Sequence, residues 1–215
     1  MSAPEVTLDE LERDALTELV NIGVSRAAAS LRRMVGQQVM LSVPSLEVVN
    51  HATASALIRE RETDELLVVR QDFTGAFSGQ ALLIFPEANS LELVRAVTGG
   101  ILSPEEASQM EDEALAETAN VVLTGCLSTL ANMLERPFDM SIPQVMRGAT
   151  ARLFELGPSY GPDAVVLFLY INFSIDDRNI RGYIAMLLDL PSLNALRALI
   201  ADFIARVVGE GAAPP

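Results

Sequence analysis

Two short stretches of the sequence repeat one arrangement of polar residues that could carry chemistry. Each has an acid, a glutamate four residues later and an asparagine three residues after that. The six residues are Asp14, Glu18 and Asn21 in the first stretch, and Glu113, Glu117 and Asn120 in the second. A side-chain amide can donate and accept hydrogen bonds, so it can hold and orient a water molecule. A carboxylate one helical turn away can bind a cation.

The apolar spacing around both stretches predicts two long amphipathic helices that display these residues. The first is expected to begin with a capping box of Thr7 and Glu10 and to stop at Gly36. Its polar residues fall within an arc of roughly 60°, opposite a broad apolar face. The second helix is expected to begin after the cap residue Ser103 and to run to about Leu134.

An ordinary solvated helix face is the simplest interpretation of such a polar strip. Two features favour a functional one. Acids four residues apart on a helix repel each other, and asparagine is a poor helix former in a helix interior. The strip also recurs in register, because Pro44 and Pro143 each follow the asparagine of their own stretch by 23 residues.

This correspondence extends along the chain and predicts an internal repeat. Each half is expected to hold strands and a shorter closing helix after its long helix. The strands are expected near 38–49, 65–73 and 78–86, and near 138–147, 164–174 and 180–189. We therefore expect an α+β fold, with one domain over residues 1–215 made of two repeats at about 7–100 and 103–210. Its β-sheet would carry two long surface helices with the motifs, plus shorter helices, around a pseudo-twofold axis.

Composition excludes several classes of function. The net charge of −14 argues against binding to nucleic acid or an anionic membrane surface. All fifteen basic residues are arginines, which excludes a P-loop lysine or a Schiff-base lysine. With one cysteine, Cys126, and one histidine, His51, neither an internal disulfide nor a metal site is expected. The N-terminus is too polar for a signal peptide and no long apolar run suggests a membrane span, so we expect a cytoplasmic protein.

The spacing of the motif resembles that of a known family. The pattern is Asp or Ser, three residues, Glu, two residues, Asn, twenty-two residues and Pro, and it resembles that of the CheC/CheX/FliY phosphatases of chemotaxis. Asp14, Glu18, Asn21 and Pro44 fit every position, whereas the second stretch has Glu113 where the motif has Asp or Ser. The presence of two motifs resembles CheC in particular.

The resemblance implies a protein phosphatase that hydrolyses the aspartyl phosphate of a CheY-like response regulator and so tunes chemotaxis signalling. It implies that the asparagines, Asn21 and Asn120, enter the regulator's active site and position the attacking water. The glutamates, Glu18 and Glu117, would pair with the regulator's active-site lysine.

The resemblance also bears on docking, cofactors and partners. Asp14 and Glu113 are expected to extend the docking surface. The enzyme would need no cofactor of its own, since Mg²⁺ is expected in the partner regulator. CheD is a further partner that the resemblance implies.

Two other classes of function stay open at this stage. One is a non-catalytic binding or adaptor module for response regulators or CheD, which the departure at Glu113 favours. The other is an independent hydrolase, built on a Cys126–His51 pair or on the paired carboxylates. It is the weaker alternative, because buried structural cysteines are commoner than catalytic ones and carboxylates on one helix more often face solvent.

Overall fold

An antiparallel sheet of seven strands, with helices on both faces, makes up most of the chain that the structure describes. The computed structural model describes residues 8–36, 38–62, 65–148, 165–175 and 178–211. The strands are β1 (Val39–Asn50), β2 (Leu66–Gly75), β3 (Gly79–Pro86), β4 (Phe138–Met140), β5 (Gln144–Gly148), β6 (Val165–Ile175) and β7 (Arg178–Leu188). The helices are α1 (Glu10–Val35), α2 (His51–Arg61), α3 (Ser90–Val97), α4 (Pro104–Gln109), α5 (Glu111–Met133) and α6 (Leu190–Gly211), with a 3₁₀ turn at Glu87–Asn89.

The order of the strands interleaves the first and second parts of the chain. Across the sheet the order is β1-β6-β7-β3-β2-β4, and β5 also pairs with β2. Each of these pairs is antiparallel. The α+β class predicted from the sequence is therefore confirmed. The duplication and the bounds of the two repeats stay predictions.

Each face of the sheet has its own apolar core, as the alternation of side chains along a strand requires. On β2, Leu67 and Val69 belong to the core shared with α1, α3, α5 and α6. Leu66 and Val68 point the other way and pack with Ile58 of α2. The motif helices α1 and α5 thus rest on one face of the sheet.

The two motif helices approach each other closely through glycines. A Cβ atom built on Gly23 of α1 would lie 2.9 Å from the Cα atom of Cys126 in α5. A Cβ atom built on Gly125 would lie 3.0 Å from the Cβ atom of Ala27. This contact fixes the position of one motif helix against the other.

Helix α5 is long and apolar enough, by composition alone, to cross a membrane. Half of its most apolar 18-residue stretch is buried inside the fold, and α5 packs on α1, α3 and the sheet. We therefore describe α5 as a core helix.

The start of α1 differs from the predicted capping box of Thr7 and Glu10, which was wrong. The N-cap is Asp9, whose carboxylate accepts a hydrogen bond from the backbone N–H of Glu12 at 2.8 Å. The Glu12 carboxylate accepts one from the backbone N–H of Asp9 at 3.0 Å. Glu12 also binds Arg197 of α6 at 3.1 Å, a tertiary contact that favours this later start. Thr7 itself lies outside the described residues.

Other helix ends agree with the sequence, but the second long helix is broken. Gly36 ends α1 with a left-handed φ of 70°, and Ser103 caps α4. The helix is then interrupted at Met110, and α5 begins at Glu111. Arg147 of β5 pairs with the first residues of α5 and so holds this new start against the sheet.

The strand expected over residues 138–147 is divided in two by an irregular segment at residues 141–143. Ser141 donates its backbone N–H to the carbonyl of Asp72 at 2.9 Å, and its hydroxyl accepts the Asp72 N–H at 3.0 Å. Pro143 has no N–H to continue the ladder. Helix α2, which the sequence interpretation missed, is capped by the side chain of Asn50.

Candidate functional site

The first motif lies on an exposed face of α1. Asp14 and Glu18 are exposed, and Asn21 is half-buried. Glu18 and Asn21 border an open depression of about 370 Å³, whereas Asp14 lies one turn away from it. The lining residues are Glu18, Asn21, Ile22, Ser25, Arg26 and Ala29. No described residue forms a hydrogen bond with the side chain of Asn21, so this site is an open helix surface.

The second motif lies in a larger groove between α5 and the sheet. The groove has a volume of about 670 Å³ and brings together Glu113, Glu117, Asn120 and Pro143. It is completed by Gln71 of β2, by Ala116 and Thr124 of α5, and by Met140, Ser141 and Ile142. The two glutamates are exposed and Asn120 is half-buried. The amide therefore lies deeper in the groove than the carboxylates.

The amide oxygen of Asn120 is held by two neighbouring side chains. The hydroxyl of Thr124, one turn along α5, donates to Asn120 Oδ1 at 3.2 Å. The Nε2 group of Gln71 lies 3.4 Å from the same oxygen and donates to the backbone carbonyl of Ser141 at 2.9 Å. Among the described residues, none accepts a hydrogen bond from Asn120 Nδ2. The amide nitrogen is therefore available to a ligand.

The sequence interpretation missed Gln71, Thr124 and Ser141. Thr124 has a sequence signal, because it follows Asn120 by four residues and so lies on the same helix face. Gln71 has a weaker one, as a polar residue in the otherwise apolar alternation Leu67, Val69 and Phe73. Nothing local to the sequence connects Ser141 with either of them.

An arginine fixes the start of α5 beside the second motif. Arg147 binds Asp112 at 2.6 Å and Glu111 at 3.3 Å, and also Glu87 at 3.4 Å. The hydrogen bond with Asp112 is the main cause that raises the pKa of the guanidinium above its ordinary value. In contrast, Glu113 and Glu117 form no ion pair with a described residue.

Cys126 is a buried residue of the core. Its side chain is 2% exposed, and its Cα atom lies at the close contact with Gly23. Burial raises the pKa of the thiol to about 12, so the reactive thiolate is scarce near neutral pH. Among the described residues, no group of three or more His, Cys, Asp or Glu side chains could hold a metal ion.

Comparison with known proteins relates the chain to a family of phosphatases. The model of the family described as chemotaxis phosphatase CheX matches residues 67–157, a range that includes the second motif. The putative CheY-P phosphatase CheC1 of Halobacterium salinarum is 21% identical over 196 residues, which cover 90% of this chain and 97% of that protein. The flagellar motor switch phosphatase FliY of Bacillus subtilis is 26% identical over 145 residues, covering 66% of this chain and 37% of FliY. The chain is therefore similar to proteins of the CheC/CheX/FliY family.

The matched family and both relatives are phosphatases by name, and the Halobacterium relative is named a putative CheY-P phosphatase. The chain spans little more than a third of the length of Bacillus FliY, so the match concerns a part of that protein.

Solved structures share the fold at low identity. Thermotoga maritima FliY has a TM-score of 0.72 at 16% identity, covering 92% of this chain and all of that one. The CheX of Borrelia burgdorferi, solved as a complex with CheY, BeF₃ and Mg²⁺, has a TM-score of 0.50 at 14% identity, covering 78% of this chain and 96% of that one. The middle domain of a Vibrio FliM has a TM-score of 0.60 at 13% identity, covering 86% and 99%. These likenesses concern the fold.

Proposed function

We propose that this chain is a member of the CheC/CheX/FliY family and a phosphatase that hydrolyses the aspartyl phosphate of a CheY-like response regulator. The observation that carries the proposal is the groove that holds the second motif, which we call the second groove. There Asn120 lies half-buried with its amide nitrogen available, and Glu117 stands exposed one turn earlier on α5. Asn21 and Glu18 repeat this pair on the exposed face of α1.

The chemistry requires positioning more than it requires a strong base. A water molecule must stand in line with the bond between phosphorus and the aspartate oxygen. Its oxygen forms the new bond to phosphorus as the old bond breaks, which frees the aspartate carboxylate and releases inorganic phosphate. Because the transition state is loose, fixing the water supplies much of the rate enhancement. A side-chain amide at the position of Asn21 or Asn120 provides such a fixed partner for the water.

The exposed carboxylates fit the charge of the partner. Glu18 and Glu117 lie beside the asparagines and can bind the lysine of a response regulator's active site. Asp14 and Glu113 extend the same acidic surface by one turn. The Borrelia CheX complex, which contains CheY and Mg²⁺, supports a CheY-like partner that brings its own metal ion. We place this activity in the cytoplasm, and CheD stays a further predicted partner.

The test is the decay of a phosphorylated CheY-type regulator, with Mg²⁺, in the presence and absence of this protein. The wild-type chain is expected to accelerate decay catalytically. The double variant Asn21→Ala/Asn120→Ala is expected to lose about a hundredfold or more, since one positioned polar group commonly contributes that much. Asn132→Ala, which removes an exposed asparagine of α5 outside both sites, serves as the matched control.

Two outcomes would contradict the proposal in different ways. A folded double variant with the wild-type rate would exclude the asparagines as the catalytic groups. A wild-type chain that binds the phosphorylated regulator but leaves its decay unchanged or slower would make it a binding module.

A further inference from the structure

Gln71 is a polar residue in a position that the core would fill with an apolar one. Its side chain is 2% exposed, and the residues two before and two after it on β2, Val69 and Phe73, are fully buried apolar side chains of the same core. The Oε1 atom of Gln71 is buried and accepts no hydrogen bond from a described residue. A buried acceptor without a donor destabilises a fold, so stability alone does not explain this residue.

The amide nitrogen of Gln71, in contrast, has a partner for each of its hydrogens. Its Nε2 group carries two hydrogens. One is donated to the backbone carbonyl of Ser141 at 2.9 Å, and the other points to Asn120 Oδ1 at 3.4 Å. The second distance is long for a hydrogen bond, but such contacts often shorten when a catalytic complex forms.

These contacts fix the orientation of the Asn120 amide in two steps. The Ser141 carbonyl can only accept, so it sets which end of the Gln71 amide faces it. Nε2 of Gln71 can only donate, so it sets which end of the Asn120 amide faces it, and Thr124 donates to the same oxygen. A reversed Asn120 would bring its own NH₂ group against that of Gln71. Only one orientation therefore satisfies the network.

We propose that Gln71 and Thr124 are positioning residues of the second site, which hold Asn120 so that its Nδ2 group faces the reacting water. The proposal rests on the proposed function. It applies to the second site alone. At the first site Ser25 stands four residues after Asn21, as Thr124 does after Asn120, but no described residue donates to the Asn21 amide.

The experiment measures regulator dephosphorylation in the Asn21→Ala background, where only the second site operates. Two variants are each expected to lower kcat about tenfold. Gln71→Leu makes this core position apolar, and Thr124→Val replaces the hydroxyl with a methyl group of similar size. KM is expected to change less than twofold, because the two side chains act behind Asn120. Thr124→Ser, which restores the hydroxyl, is expected to recover most of the loss caused by Thr124→Val.

The matched comparison places Gln71→Leu in the Asn120→Ala background, where only the first site operates. There we expect less than a twofold change in kcat. Equal losses in both backgrounds would mean a general structural effect and would overturn the positioning role. Wild-type kcat for Gln71→Leu and Thr124→Val in the Asn21→Ala background, while Asn120→Ala removes the activity, would overturn it and leave the proposed function standing. If Asn120→Ala has no effect on kcat in the Asn21→Ala background, both proposals fail.

Discussion

The contact between the motif helices leads to a quantitative prediction for Gly23→Ala. A Cβ atom there would lie 2.9 Å from the Cα atom of Cys126 and 3.4 Å from its carbonyl oxygen. The nearest atom is backbone, so α1 and α5 must move apart by about half an ångström to reach ordinary contact. Overpacking of this kind costs about 1–3 kcal/mol. The better helix propensity of alanine offsets about 1 kcal/mol, so we expect a net loss of up to about 2 kcal/mol.

Urea unfolding followed by circular dichroism measures this loss. With a slope of about 2–3 kcal/mol/M for a chain of this size, the midpoint should fall by up to about 1 M. Gly209→Ala on α6 is the matched control, because no atom lies within 4 Å of its added Cβ. It changes helix propensity alone and should raise the midpoint slightly. A Gly23→Ala protein as stable as Gly209→Ala would refute the close packing of α1 on α5.

Three further predictions concern single residues. Ile142 is 85% exposed at the rim of the second groove, so Ile142→Ser should raise KM for the phosphorylated regulator about fivefold with kcat unchanged, whereas Ile101→Ser, equally exposed at 86% but outside the groove, should change neither. Arg197→Met should destabilise the fold by about 1–3 kcal/mol in urea unfolding, because it leaves the buried Glu12 carboxylate without its guanidinium; an unchanged midpoint would contradict this. The Cys126 thiol should resist a thiol reagent at pH 8 until urea unfolds the chain. Burial raises the pKa of this thiol to about 12 in the folded chain, so the free energy of unfolding should fall as pH rises from about 9 towards 12. A thiol that reacts in the native protein would refute both expectations.

Periodic signals predicted the long elements of the fold well. The end of α1 at Gly36 and most strands lie within two residues of their predicted bounds, because apolar periodicity and glycine caps act locally. Helix α2 was missed because its core contact is small: Ala54, Ser55 and Ile58 are its buried residues. Three residues give little periodicity, and the helix directly follows β1.

The candidate site was predictable only where its residues share a helix. Glu117 and Asn120 were found because the i,i+3 spacing recurs in the first motif. Gln71 reaches Asn120 from 49 positions away in the sequence, through the packing of α5 on β2. Such a contact depends on which strand lies under the helix, and sequence spacing carries no information about that.

The interleaved strand order has a consequence for synthesis on the ribosome. The described partner of β1 is β6, and Asn50 pairs with Val165, more than a hundred residues later. At about 5–20 residues per second, β1 waits roughly 6–23 s for its partner to be made. During that time a twelve-residue strand has an open edge that could pair with another nascent chain. The hairpin of β2 and β3 can form early, whereas β1 can pair with β6 only after residues 165–175 have been made.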